Sequence, residues 1–194
     1  YAACVPELEA PAGSSRVVPL VTRALEQIAP VPEDSHLLTA TTKAGIDTLE
    51  RLCRERPANT QEVLPTTFMD HVRRRTGVQG RGMNVNAACA SSTIALARGA
   101  AMIAHGRAAA VLVCCADLVS EFVFSGFSAL QALSSSPAQP FDRGRSGLTL
   151  GEGAAALVLM SPERARATGR SPLAVLAGWG TANDANHVTA PARD

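Results

Sequence analysis

The sequence predicts an α/β fold with a largely parallel sheet and a helix buried against it, and three observations carry that reading. Residues 108–116 form an unbroken apolar run, Ala-Ala-Ala-Val-Leu-Val-Cys-Cys-Ala, the pattern of a strand covered on both faces. Residues 90–105 are alanine-rich and helical, with Ile94, Ala97, Ala101 and Ala104 on the inner side and Gly106 as a stop. A short extended stretch, residues 83–88, precedes that helix. Strand, helix and strand with short joints make a βαβ unit, which is right-handed and parallel in nearly every protein that has one.

The remaining elements follow in order. Residues 1–15, with Pro6, Pro11, Gly13 and Ser14-Ser15, read as irregular. Residues 16–28 carry Val17, Leu20, Val21, Leu25 and Ile28 at the three-and-four spacing of an amphipathic helix, which Pro30 and Pro32 end. Residues 36–42 favour a short strand. A helix with Ile46, Leu49 and Leu52 on one face follows and stops before Pro57. Pro65 opens another, with Phe68, Met69 and Val72, that ends near Gly77. Residues 155–160 read as a buried strand and residues 173–179 as the next one, leading to His187. These elements alone name no function.

Composition narrows the classes. At 194 residues the chain holds about one domain, or one and a half, against a usual size of roughly 150. It is 46% hydrophobic and 18% charged, enough to bury a sizeable core. A formal net charge of +1 and 4% aromatic residues argue against a broad basic field or a base-stacking platform, so no nucleic-acid partner is expected. No apolar stretch reaches the ~18 residues of a membrane span, and the start lacks the regions of a signal peptide. The five cysteines (Cys4, Cys53, Cys89, Cys114 and Cys115) are odd in number and contain no C-x-x-C spacing. Free thiols in the cytoplasm, no membrane and no metal are the expectation.

One cysteine stands where chemistry gathers. In open α/β sheets reactive groups collect where strands end and helices begin, and Cys89 falls at such a junction. The free N–H groups and positive end of the following helix would stabilise a thiolate, the form in which a cysteine attacks. The competing reading is a small buried core residue. Cys114 and Cys115, inside the next strand, read as packing, and Cys4 and Cys53 have no motif around them. Downstream, Gly147, Gly151 and Gly153 mark a loop whose backbone needs positive φ or close approach. Asp142 could pin it by pairing with Arg143 or Arg145. Without a Gly-Lys-Ser/Thr ending, a phosphate cradle is a weak reading. His187 sits in a polar loop before Pro191, where a lone histidine is ordinarily solvated, as is also expected for His36, His71 and His105.

Taken together, four ordered segments resemble the β-ketoacyl synthase family, the decarboxylating condensing enzymes of the thiolase superfamily. They are Ala87-Ala-Cys-Ala-Ser-Ser92, Gly126-Phe-Ser-Ala-Leu-Gln-Ala-Leu-Ser134, Pro140-Phe-Asp through Arg145-Ser-Gly to Gly151-Glu-Gly-Ala154, and His187-Val-Thr-Ala-Pro191. The resemblance is strong over residues 83–194 and loose over residues 1–82. It implies a thiolase-like, layered α/β/α fold, with residues 1–194 as the N-terminal domain of a synthase. It further implies that Cys89 takes an acyl group from the phosphopantetheine of an acyl carrier protein. A malonyl-carrier thioester would then lose carbon dioxide and attack the acyl-cysteine, in fatty acid or polyketide biosynthesis. His187 would stabilise the enolate, and the Cys89 N–H would supply part of an oxyanion hole. No cofactor is required, and the expected partners are the carrier protein and a homologous synthase, as homodimer or heterodimer, meeting through the sheet edge near the nucleophile.

Two departures accompany the resemblance. Leu148 stands where the family usually has phenylalanine, a change in packing. The family's second histidine and its lysine lie in a C-terminal half that these 194 residues do not include, and Lys43, the one lysine, is upstream. A half-fold would leave sheet edges and apolar faces uncovered and would be poorly soluble alone. Two other readings remain: a non-catalytic, chain-length-factor-like partner subunit or inactive fragment, and an unrelated cysteine hydrolase. Chain-length factors lack the nucleophile that this chain keeps at Cys89.

Overall fold

The apolar run that the sequence singles out becomes the central strand of a four-stranded sheet in the structure, a computed structural model that describes residues 2–28, 30–187 and 192. In chain order the elements are β1 (Ala2–Ala3), α1 (Val17–Leu25), β2 (His36–Ala40), α2 (Asp47–Cys53), a 3₁₀ turn (Thr60–Val63), α3 (Pro65–Thr76) and β3 (Gly82–Val85). Then come α4 (Ser91–Ala104), β4 (Ala110–Asp117), α5 (Glu121–Ala129), β5 (Leu150–Gly151), β6 (Gly153–Met160) and α6 (Pro162–Ala167). The sheet order is β3-β2-β4-β6. β2 runs parallel to both β3 and β4, with Leu38 level with Met83 on one side and Val113 on the other. The crossover from β3 through α4 to β4 therefore steps over β2. β6 closes the far side antiparallel to β4, and β1 pairs with β5 in a separate two-stranded ribbon.

Side chains of β4 alternate between two cores, as a strand covered on both faces must. Val111 and Val113 join Leu38, Ala40, Val85 and Ala95 beneath α4. Leu112, Cys114 and Ala116 join Val17, Leu20, Val21, Phe68 and Val72 beneath α1 and α3. The result is a helix layer on each face of the sheet. Val111, Leu112 and Val113 are fully buried, and each such side chain contributes roughly 1.5–3 kcal/mol. α3 starts on Pro65 and stops at Gly77, whose φ of 74° suits a residue without a Cβ.

Several expectations change at the level of faces. α2 does not bury an Ile46-Leu49-Leu52 stripe: Ile46 is buried but Leu49 and Leu52 are exposed, and Asp47 and Thr48 take the inner positions. Asp47 is drawn in because its carboxylate accepts from the Ser15 hydroxyl and from the Arg16 N–H. α4 buries Ser91, Ala95, Ala97 and Gly99, with Ile94 and Ala101 half-buried and Ala104 exposed. Gly99 sets how closely it lies, since a Cβ there would fall 2.9 Å from Leu159 Cδ1 and 3.3 Å from Val111 Cγ1. β6 is an edge strand with alternating exposure rather than a buried one. Residues 173–179 form no strand. Leu173, Val175, Leu176 and Trp179 are exposed, so the segment has no ladder on which to pair.

Candidate active site

The carboxyl ends of the three parallel strands meet at one edge of the sheet, the place where α/β proteins hold their ligands. β2 delivers Thr41 and Thr42 there, β4 delivers Asp117, and β3 runs through Asn86 into Cys89. The Asp117 carboxylate accepts from the Thr42 N–H at 2.8 Å, the Thr42 hydroxyl at 2.9 Å and the Thr41 hydroxyl at 3.2 Å. Asn86 Nδ2 donates to the Thr42 carbonyl at 3.4 Å. The loop after β2 is thus tied to β4 on one side and to the lead-in of Cys89 on the other. Pattern reading passes over Thr41, Thr42 and Asp117, because their pairing spans about seventy-five positions of sequence. The one available signal is the charge of Asp117 at the end of an apolar run.

Cys89 is exposed, one residue before Ala90, the N-cap of α4. The reading of this cysteine as a buried core residue does not hold. Ala88 has φ 50°, a left-handed conformation that costs an alanine roughly 1–2 kcal/mol. This turn reverses the chain sharply and sets the sulfur outward. It is closed by Ala90 N–H to the Ala87 carbonyl and Ser91 N–H to the Ala88 carbonyl, each at 3.1 Å. Ser91 is buried, and its Oγ accepts from the Ala87 N–H at 2.8 Å and donates to the Ala88 carbonyl at 2.6 Å. Ala90, the N-cap of α4, makes no side-chain cap bond.

The other cysteines fall as packing would place them, or on the surface. Burial pushes the Cys114 thiol up, and burial followed by the nearby Asp117 pushes Cys115 up to about 11. Cys4 and Cys53 are exposed.

His187 lies exposed at the end of residues 171–187, a stretch without helix or strand. Residues 188–191 of its motif lie outside the described residues. Within the stretch the turns close locally. Asp184 accepts the Ala192 N–H at 2.9 Å and the Asn186 N–H at 3.3 Å, and these bonds hold its carboxyl below the usual carboxylate value. Two of the other histidines, His36 and His71, are less solvated than expected. His36 is half-buried on β2, and His71 Nε2 meets Thr22 Oγ1 at 3.0 Å between α3 and α1. Burial, then Arg74 and Arg75, lower the His71 pKa. His105 is exposed at the end of α4, where its Nδ1 meets the Ala101 carbonyl at 2.7 Å.

The loop before β5 holds together differently from the expected ion pair. Asp142 accepts the Gly144 N–H at 2.6 Å, and the Arg145 guanidinium donates to the Asp142 backbone carbonyl at 2.9 Å rather than to its carboxylate. Among the described residues, Asp142 forms no salt bridge with Arg143 or Arg145. Gly147, with φ 149°, has the requirement assigned to the three glycines: a Cβ there would lie 2.8 Å from Ala132 O and Ser134 N. Gly151 and Gly153 have no such neighbour. Glu152, between them, is a further residue that sequence reading passes over. Its side chain is fully buried and accepts from the Val5 N–H at 2.8 Å, the Val119 N–H at 3.2 Å and the Arg16 guanidinium. Leu148 is half-exposed, and its backbone pairs with Ala132 and Ser134.

Among the described residues no group of three or more His, Cys, Asp or Glu side chains could hold a metal ion, and no helix is long and apolar enough to cross a membrane.

Comparison with known proteins follows the same residues. A family model described as beta-ketoacyl synthase, N-terminal domain, matches residues 40–165. Nodulation protein E of Rhizobium meliloti is 37% identical over 132 residues, which are 68% of this chain and 33% of that protein. A 3-oxoacyl-(acyl-carrier-protein) synthase 2 of Vibrio harveyi is 35% identical over 125 residues, 61% of this chain and 30% of that protein. The solved beta-ketoacyl synthase from Burkholderia phymatum superposes with a TM-score of 0.71 at 25% identity, covering 88% of this chain and 50% of that one. A ketosynthase from Xenorhabdus doucetiae, solved with its chain length factor, shares the fold with a TM-score of 0.61 at 24% identity, over 82% of this chain and 46% of that one. The chain spans about a third of the length of the curated relatives it matches.

Proposed function

Because the chain belongs to the β-ketoacyl synthase family, matching its N-terminal domain, we propose that it works in decarboxylative condensation with Cys89 as the acyl-carrying nucleophile. The observation that carries this reading is the exposed Cys89 sulfur, set outward by the Ala88 turn at the start of α4 and at the carboxyl ends of parallel strands. The helix end favours negative charge at that point. The thiolate attacks the carbonyl carbon of an acyl thioester carried by an acyl carrier protein. A C–S bond forms, the electron pair moves onto the oxygen beside the Cys89 N–H, and the carrier thiolate leaves and takes up a proton.

In the second half-reaction a malonyl-carrier thioester loses carbon dioxide. The electron pair of the broken C–C bond becomes an enolate, which His187 stabilises by a hydrogen bond to the thioester oxygen. The enolate carbon then attacks the acyl-cysteine carbonyl, a new C–C bond forms and the Cys89 thiolate is expelled. The product is longer by two carbons, in a fatty acid or polyketide. This chemistry calls for no metal or redox cofactor, and the substrates arrive on phosphopantetheine. Residues 1–194 are read as one N-terminal synthase domain. The family's second histidine and lysine come from a further synthase half, and a homologous synthase pairs at the β3 edge as homodimer or heterodimer, in the cytoplasm.

Two substitutions separate the half-reactions. Cys89→Ala abolishes transfer of a labelled acyl group and stops product formation. His187→Ala leaves acyl transfer intact and slows decarboxylation of the malonyl thioester by about two orders of magnitude, as loss of one oxyanion donor does. Both are measured with the assembled synthase, by label transfer and by carbon dioxide release. Unchanged product after Cys89→Ala contradicts the reading and favours a non-catalytic partner subunit, as in the solved ketosynthase with its chain length factor.

A further inference from the structure

We propose that Ser91 is a positioning residue for Cys89: its side chain fixes the peptide plane whose far end is the Cys89 N–H, the donor that meets the oxyanion. The inference rests on the reading of Cys89 as the nucleophile. Ser91 is 4% exposed, too enclosed to meet substrate. Its hydroxyl donates to the Ala88 carbonyl at 2.6 Å while its own N–H donates to the same oxygen at 3.1 Å. Both lone pairs of that carbonyl are taken by one residue, so the carbonyl is held from two directions. In a trans peptide the C=O and the following N–H point opposite ways, and the described chain contains no cis bond. Fixing the Ala88 carbonyl therefore fixes the Cys89 N–H, directed away from Ser91.

Two further observations give the clamp something to hold. Ala88 has φ 50°, where an alanine is reluctant to stay. Ala90, the residue that caps α4, makes no side-chain cap bond, while Ser91 Oγ also accepts from the Ala87 N–H at 2.8 Å. The single hydroxyl proton is committed to the Ala88 carbonyl, so Ser91 acts on Cys89 through geometry and passes it no proton.

The test compares two reactions of the same sulfur in the full chain. Alkylation by iodoacetamide displaces iodide and builds no charge on a carbonyl oxygen. Acylation by acetyl-N-acetylcysteamine passes through a tetrahedral oxyanion before N-acetylcysteamine leaves as its thiolate and is protonated. Ser91→Ala is expected to slow acylation of Cys89 roughly tenfold to a hundredfold, while alkylation changes by less than about twofold; Cys4 and Cys53 serve as internal references. Ser91→Thr, which keeps the hydroxyl, restores the ratio. Glycine adopts φ 50° without strain, so the Ala88→Gly/Ser91→Ala pair carries the same expectation if the single variant does not fold. Equal slowing of both reactions, or unchanged acylation, overturns the proposal. Should wild-type Cys89 alkylate yet take no acyl group, the nucleophile reading fails. The positioning role is then decided by ¹⁵N relaxation of the Cys89 amide: greater mobility in Ser91→Ala supports it, and unchanged order overturns it.

Discussion

The five thiols of this chain divide by environment rather than by neighbours in sequence. Cys4, Cys53 and Cys89 are exposed, whereas Cys114 is buried and Cys115 half-buried within β4. Alkylation needs the thiolate, and burial pushes Cys115 up to about 11 and raises Cys114 as well. Iodoacetamide at about pH 8 is therefore expected to modify Cys4, Cys53 and Cys89 in the folded chain and to reach Cys114 and Cys115 only after unfolding in urea. Peptide mapping reads the outcome, and rapid modification of Cys115 in the folded chain would contradict it. At this scale the sequence made Cys89 legible, because a strand end, a small-residue turn and a helix start follow one another locally. Glu152 was not legible. Its partners Val5, Arg16 and Val119 lie 33 to 147 residues away, and a carboxylate between two glycines carries no local sign of burial. Ser91 was hidden in the same way, as one more small residue on an alanine-rich helix.

Elements with strong local signals formed where the sequence put them. β4 follows its apolar run, α3 runs between Pro65 and Gly77, and α1 buries Val17, Leu20, Val21 and Leu25. Faces were less legible, since tertiary partners choose them. α2 turns Asp47 inward toward Ser15 and Arg16 and leaves Leu52 outside, and β6 is apolar in sequence but has a neighbour on one side only. The α1–α3 contact carries a pH dependence. His71 bonds Thr22 across it, and burial with Arg74 and Arg75 lowers its pKa from 6.5. The unfolded chain thus takes up a proton near 6.5 while the folded chain does not. Stability is complete above that value and is lost as pH falls below it toward the folded pKa. Urea unfolding at about pH 8 and about pH 5 is expected to show a drop in stability that is smaller in His71→Gln. An equal drop in both proteins would contradict this assignment.

Across the whole molecule, the layered α/β/α arrangement is the thiolase-like fold that the motifs implied, and family membership agrees with it. The sheet keeps two edges, β3 beside the Cys89 turn and β6 on the far side. Phe122, Leu130, Leu173 and Trp179 are exposed apolar side chains, surface that the proposed second synthase half and partner subunit would cover. The proposed site is distributed: Cys89 and its turn lie at the end of the sheet, and His187 in the stretch without helix or strand after it. The sulfur is the part that can be tested without the rest. The most direct measurement is peptide mapping by mass spectrometry after incubation with an acyl-carrier thioester. One acyl group is expected, on the peptide that contains Cys89 and on none of the other four thiols. An acyl group spread over Cys4, Cys53 and Cys89 alike, or absent from Cys89 in a folded synthase assembly, would contradict it.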